Sequence, residues 1–431
     1  MVTTLGRGPV ADRSHDSGGH AHVPDNAGGC AVTNWLDLPD DDPWGLQNLA
    51  YGSLRDQRGR RFVAVRIGDR VLDLTSMTAG TASGALFASG TLNDFLAAGR
   101  PVWADFRATI TAALTDADRR AGVEPFLSPL DEHTPELAFD VADYVDFYAS
   151  EHHASNVGRI FRPGSSPLTP NWKHQPLGYH GRAGTIVVTG TTICRPSGQV
   201  SEPGAGISFG PSTRMDIEAE VGFVVGVGST LGEPVRMSQF REHVFGVCLV
   251  NDWSARDIQA WESVPLGPFL GKSFATSVSG WITPLDALED AWVAPPSRDP
   301  APPPYLNDSE FDLGLDLLLE VSLNGSRVSR PPFAQLYWTP AQLMAHLTAN
   351  GASLRSGDLF ASGTVSGADR AQRGSLLELG WNGATPLQLA DGSQRSFLLD
   401  DDDVVITATA RAEHGRIALG EVRGRIGPSA P

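Results

Sequence analysis

Short apolar runs broken by glycine and proline recur along most of the chain, and their spacing predicts strands more often than helices. Arg61 to Leu74 alternates about the turn at Gly68-Asp69 and predicts a β-hairpin. Pro101 opens a predicted helix whose apolar positions Val102, Phe106, Ile110 and Leu114 recur every four residues. Further strands are predicted at Thr185 to Thr189, Phe223 to Val227, Val244 to Val250, Leu315 to Leu323, Ser375 to Leu379 and Val404 to Ala408. Thr339-Pro340 caps a second helix running to about Asn350, with Leu343 and Leu347 on one side. Many short strands with Gly and Pro turns predict a mainly β protein with some α, a sandwich, roll or barrel rather than alternating βαβ units. Pro295-Pro296 through Pro302-Pro303-Pro304 reads as an exposed insertion, and no internal repeat or phosphate-cradling glycine motif interrupts the pattern.

A length of 431 residues exceeds one ordinary core at about 150 residues per domain. Residues 1–32 are rich in Gly, Asp, His and Ser and are expected to form a disordered tail, whose His15, His20 and His22 are not expected to make a functional metal site. Residues 33–130 read as a small β-rich domain, and residues 131–431 as the larger domain that carries the chemistry. The formal net charge of −17 disfavours nucleic acid and anionic membranes as partners, although part of it is local to Asp40-Asp41-Asp42 and Asp400-Asp401-Asp402-Asp403. Cys30, Cys194 and Cys248 are too few and too scattered for a disulfide framework or a zinc site, which fits a reducing compartment. No apolar run approaches the ~20 residues of a membrane helix, and the first residues lack a signal-peptide layout, so a cytoplasmic location is expected.

The chemistry gathers around acidic residues. In Met215-Asp216-Ile217-Glu218-Ala219-Glu220-Val221, strand geometry crowds Asp216, Glu218 and Glu220 onto one face. Such carboxylates need a cation if they lie beside a core, or they form the solvated face of an edge strand. In Asn251-Asp252-Trp253-Ser254-Ala255-Arg256-Asp257-Ile258-Gln259, helical spacing puts Asp252, Arg256 and Gln259 on one face. Asp252 is placed to complete an oxygen-only site for a hard cation with Glu218 and Glu220, or to cap a helix beside a surface ion pair. Lys272, which with Lys173 makes up the lysines of the chain, either faces an anionic transition state or snorkels to water. Asp146, Tyr148, His152 and His153 fall in one short stretch, where one histidine at most is expected to act as a base.

Several longer motifs occur in order: Gln47-Asn48-Leu49-Ala50-Tyr51-Gly52, Asp146-Phe147-Tyr148, Pro176-Leu177-Gly178-Tyr179-His180-Gly181-Arg182, Asp216 to Glu220, Asn251 to Asp257, Pro265 to Lys272, and Ala361-Ser362-Gly363-Thr364. Together they resemble the fumarylacetoacetate hydrolase superfamily, over nearly the whole chain beyond the tail. The resemblance implies a small N-terminal SH3-like β-barrel domain followed by a large mixed β-sandwich roll. It implies a site for Ca2+ or Mg2+ ligated by Asp146, Glu218, Glu220 and Asp252, with Lys272 and Thr276 beside the metal. It further implies His153 as general base oriented by Glu378, with Arg256, Gln259 and Lys272 around an oxyanion. Tyr148, Arg162, Tyr179, Gln259 and Thr364 are the implied substrate contacts. The expected reaction is hydrolysis of the carbon–carbon bond of 4-fumarylacetoacetate to fumarate and acetoacetate, in tyrosine and phenylalanine catabolism, by a cytoplasmic homodimer. Decarboxylation or hydration of another oxo-acid, or a non-catalytic binding module stabilised by metal, are the other readings. Two departures from the pattern concern substrate fit, Ser263 where a tyrosine is common and Ala275 where a glycine is common. Asp216 has no ligand role in the pattern and is expected to be solvated or paired, with Arg214 the first candidate.

Overall fold

Two central strands explain why the sequence alternates in some places and runs apolar in others. In the computed structural model, which describes residues 35–430 other than 203 and 205, every residue of the Ala219–Val225 and Val244–Asp252 strands is buried. Strands covered on both faces read as continuous apolar runs, whereas Leu317–Leu323 buries every second residue and alternates. The expected tail, 1–32, lies outside the described residues.

The larger sheet has thirteen strands, with Val244–Asp252 between Trp281–Pro284 and Ala219–Val225, then Leu359–Ala361, Tyr144–Phe147 and Gly178–His180. The hairpin of Arg61–Ile67 and Arg70–Asp73 joins the same sheet, because its neighbour Tyr51–Arg55 pairs with Trp281–Pro284. A second sheet of five strands is built on the long antiparallel pair Asp403–Ala412 and Gly415–Gly427.

One face of the large sheet, with Val221, Phe223, Val247 and Leu249, shares a core with Leu319, Val321, Ile406 and Val422 of the second sheet. Val224, Phe245 and Val250 pack instead in a second core with the N-terminal strands and the Arg100–Thr115 helix, through Phe106 and Ile110. Successive side chains of one strand thus feed two cores, and the protein is mainly β with helices on its margins. Among the described residues, no helix is long and apolar enough to cross a membrane.

Three local expectations are corrected. Ser375 to Leu379 is a helix, Leu376–Leu379, because the Ser375 hydroxyl caps its start by accepting from the Glu378 amide, so capping outweighs the apolar run. Asp252 ends a strand rather than beginning a helix, since Asn251 and Asp252 are held in the ladder opposite Ala219 and Thr276; the helix is Arg256–Glu262. The acidic strand is broken in two: Met215–Asp216 pairs with Ser254–Ala255, and the Glu218 amide turns to the Asn251 side chain at 3.0 Å. Ala219–Val225 has a partner on each side, which removes the solvated-edge reading.

The Glu151–Phe161 helix, capped by Ser150, is pinned against the 162–172 segment at Gly158, where an added Cβ would lie 1.8 Å from the Pro167 carbonyl oxygen. Backbone on both sides leaves nothing to relax. Gly158→Ala is therefore expected to destabilise the fold by about 1–3 kcal/mol, as overpacking does. Denaturant unfolding checks this, and an unchanged midpoint would contradict the packing described.

Candidate active site

The parallel pairing of Tyr144–Phe147 with Leu359–Ala361 carries Asp146 to the broken acidic strand. Asp146, Glu218 and Glu220 there each offer an oxygen, all within 4.8 Å of one another and all on buried residues. Asp146 Oδ1 and both carboxylate oxygens of Glu220 have no hydrogen-bond partner. Burying ionised oxygens without partners costs several kcal/mol, so the group either takes up protons or holds a cation. Burial, and then the charge of Asp252, push the Asp146 carboxyl well above its usual range; burial and then Asp146 do the same to Glu220. The donors are oxygens only, the set preferred by Ca2+ and Mg2+.

Asp252 stands next to this trio rather than within it. Its Oδ2 accepts from the Lys272 ammonium at 2.7 Å and the Tyr179 hydroxyl at 2.5 Å, and its Oδ1 from the Thr276 hydroxyl at 2.9 Å. Lys272 is buried, bonded also to Glu218, so the snorkelling reading fails. Burial opposes its charge, yet Asp252 and Glu218 hold its pKa above the ordinary lysine value. Glu218 is ion-paired with Arg256 as well, at 2.8 Å. Burial would raise its pKa, but Lys272 and Arg256 outweigh that and hold the carboxyl well below its usual range.

Arg256, buried, corrects two further expectations. It forms no surface pair, and it rather than Arg214 is the partner of Asp216, at 2.8 Å. The Arg214 guanidinium donates to Asn382. Asp216 accepts in addition from the backbone amides of Leu376 and Leu377, at 2.7 and 3.1 Å, and so fixes the start of the short helix that bears Glu378. Gln259 accepts from Arg256 at 3.1 Å through its carbonyl oxygen, which leaves its amide hydrogens free.

His153 and Glu378 meet at 2.6 Å between Nδ1 and Oε2, both fully enclosed. Glu378 is also held by Asn156, Ser366 and Ser375, each at 2.9 Å. Burial alone would raise its pKa; His153 and these donors lower it, so the carboxylate is anionic and orients the imidazole. The Tyr148 ring stands edge-on to His153 at 5.2 Å. Thr364 is buried with an unpartnered hydroxyl. Arg162, just past the end of the His153 helix, is exposed and donates to the Pro167 carbonyl, the one expected contact that stands at the rim. The Ser263 hydroxyl is turned onto the Gln259 carbonyl of its own helix. A cavity of about 160 Å³ opens on the Lys272 side of the site, lined by Tyr144, Tyr179, His180, Arg182, Phe269, Lys272 and Thr276, with neither His153 nor Glu378 in its wall. A larger one of about 840 Å³, near Trp44, Arg66 and Trp281, is lined by none of the site residues.

Asn156, Ser366 and the structural use of Asp216 were not anticipated. Asn156 lies three residues after His153 on one helix face, a spacing that reads as shared orientation. Nothing local marks Ser366.

Two family models match the chain: "Fumarylacetoacetase N-terminal" over residues 47–138, and "Fumarylacetoacetate (FAA) hydrolase C-terminal" over residues 143–426. The chain is 41% identical over 418 residues to fumarylacetoacetase of Rattus norvegicus, covering 92% of this chain and 99% of that one. It is 42% identical over 424 residues to fumarylacetoacetase of Arabidopsis thaliana, with 93% and 99% covered. Its fold is similar to that of a fumarylacetoacetate hydrolase from psychrophilic Exiguobacterium antarcticum, at a TM-score of 0.51 and 14% identity, with 88% of this chain and 99% of that chain covered.

Two outcomes are expected from this geometry. Asp216→Ala leaves Arg256 without its main partner and uncaps the Glu378 helix, so it should cost ~3–5 kcal/mol, the range for breaking a buried pair; equal stability by denaturant titration would refute that linkage. The raised carboxyls of Asp146 and Glu220 favour the metal-free fold below the ordinary carboxylate range, and this contribution is lost as pH rises through their raised pKa values. Because protons and cations compete for these oxygens, the Tm gained on adding Ca2+ or Mg2+ to chelator-treated protein should grow from about pH 5 to 8. A gain that is flat or shrinking across that range in thermal melts would refute it.

Proposed function

The chain belongs to the fumarylacetoacetate hydrolase family, and from that premise we propose that it hydrolyses the carbon–carbon bond of 4-fumarylacetoacetate to yield fumarate and acetoacetate. The observation that carries this reading is the enclosed His153–Glu378 pair, at 2.6 Å, in a site that also gathers three carboxylates and two buried cations. Asp146, Glu218, Glu220 and Asp252 are assigned to a Ca2+ or Mg2+ ion, with Lys272 and Thr276 adjoining it through Asp252. The unpartnered oxygens of Asp146 and Glu220 fit such an ion. When bound, it supplies Lewis-acid polarisation of the β-dicarbonyl oxygens.

The protein's own groups then have distinct tasks. Glu378 accepts Nδ1–H and leaves Nε2 of His153 free to take a proton from water, which attacks the ketone next to the scissile bond. Negative charge grows on that ketone oxygen, where Arg256, Lys272 and the free amide of Gln259 donate. As the carbonyl re-forms, the bonding pair leaves with the acetoacetate carbon as an enolate, and the imidazolium returns the proton to it. Tyr148, Arg162, Tyr179, Gln259 and Thr364 position the substrate. With the Ser263 hydroxyl occupied by Gln259, the contact that a tyrosine would make there falls to water or is lost. Tyrosine and phenylalanine catabolism, a cytoplasmic location and a homodimer complete the reading.

A steady-state assay with fumarylacetoacetate, following loss of its ultraviolet absorbance with and without chelator, tests the reaction. His153→Ala is expected to nearly abolish turnover with metal content intact, and Glu218→Ala to lose both. Gln259→Ala should lower kcat by on the order of a hundredfold, as loss of one oxyanion donor does. Near-normal hydrolysis by the His153 variant would refute the base assignment.

A further inference from the structure

The segment from Ser263 to Gly271 leads directly into Lys272, yet apolar burial does not hold it: Val264, Leu266 and Phe269 are 85%, 97% and 67% exposed. One carboxylate does. Glu262, half-buried at the last position of the Arg256–Glu262 helix, accepts from three consecutive backbone amides. Those of Phe269 and Gly271 reach Oε1 at 2.7 and 2.8 Å, and that of Leu270 reaches Oε2 at 2.9 Å. The helix dipole opposes a negative side chain at this end, so the helix alone gives no reason for one here. Three successive N–H groups turned toward one point form a concavity for an anion, and Glu262 fills it.

This contact joins two parts of the proposed oxyanion site. Gly271 is held at both ends of the helix, for its amide donates to Glu262 and its carbonyl accepts from the Ala255 amide at 2.8 Å. Between those ends it lies on the helix backbone, where an added Cβ would stand 2.8 Å from the Gln259 nitrogen and 2.9 Å from its Cα. Arg256 and Gln259 are carried by that helix, and Lys272 is the residue after Gly271. Glu218 and Asp252 fix the Lys272 ammonium itself. The register of the Gln259 amide against it passes through Gly271, and so through Glu262.

We propose that Glu262 is a positioning residue, which by clamping the 269–271 amides sets Lys272 and Gln259 at the spacing that the developing oxyanion requires. The role rests on the hydrolysis reading above and adds to it a residue that does not touch the substrate.

Steady-state kinetics with fumarylacetoacetate test it in Glu262→Ala and Glu262→Gln. In the Ala variant kcat and kcat/KM should fall together by on the order of a hundredfold, as a misplacement of about 1 Å does. The Gln variant keeps one accepting oxygen and should lose less. Formate carries the missing group and should enter the emptied concavity, raising kcat of the Ala variant about tenfold at saturating substrate and leaving the unaltered protein unchanged. Hydrogen–deuterium exchange of the 264–272 amides should quicken in the Ala variant and slow again with formate. An unchanged kcat in that variant, or a loss that formate does not relieve, overturns the positioning role and leaves the hydrolysis reading standing. If circular dichroism shows the Ala variant unfolded, the Gln variant decides, and an unchanged kcat there overturns the role. Unaltered protein that does not hydrolyse the substrate overturns both.

Discussion

Two buried cations, Arg256 and Lys272, stand among five buried carboxylates, Asp146, Asp216, Glu218, Glu220 and Asp252, and the site depends on how that imbalance is distributed. In a low-dielectric interior an unpaired charge costs several kcal/mol, so each cation is shared rather than spent on one partner. Arg256 ties Asp216 to Glu218, and Lys272 ties Glu218 to Asp252. The chain of ion pairs ends there. Asp146 and Glu220 are left with partnerless oxygens and raised pKa values, the physical condition that makes a divalent cation favourable at that spot and nowhere else among these groups.

The same network sets the position of the His153–Glu378 pair. Asp216 holds Arg256 with one oxygen and the start of the Glu378 helix with both, so the charged cluster and the His153–Glu378 pair are one hydrogen-bonded assembly. The double role accounts for Asp216, the carboxylate that lies outside the Asp146–Glu218–Glu220 group. It also explains the break in the acidic strand: a regular strand through Ile217 and Glu218 would keep both residues in a ladder, whereas the break lets Met215–Asp216 pair separately with Ser254–Ala255.

Much of this was legible locally. The continuous apolar runs at Phe223 and Val244 and the alternation at Leu317 and Val404 correspond to observed strands, because burial on two faces or one leaves a direct imprint on residue type. Pro101 and Thr339 mark real helix starts. Where the reading failed, a second local signal competed with the first. Ser375 capped a helix that its apolar neighbours disguised, and the helical spacing of Asp252, Arg256 and Gln259 hid a strand end. Strand spacing puts Arg214 on the same face as Asp216, but Arg256, forty residues on, is the group that the Ser254–Ala255 pairing brings alongside.

By itself, then, the sequence determined the strand-rich character, the kinds of chemistry available and, through ordered motifs, the family. Those properties reside in residue types and short spacings, which neighbours along the chain are enough to specify. Which carboxylate is paired and which is left for a cation, and the meeting of His153 with Glu378 across 225 positions, were decided only by tertiary structure. The reason is that burial and Coulomb interactions act through space: a carboxyl's charge state depends on what the packed sheets place within a few ångströms of it, whatever their separation along the chain.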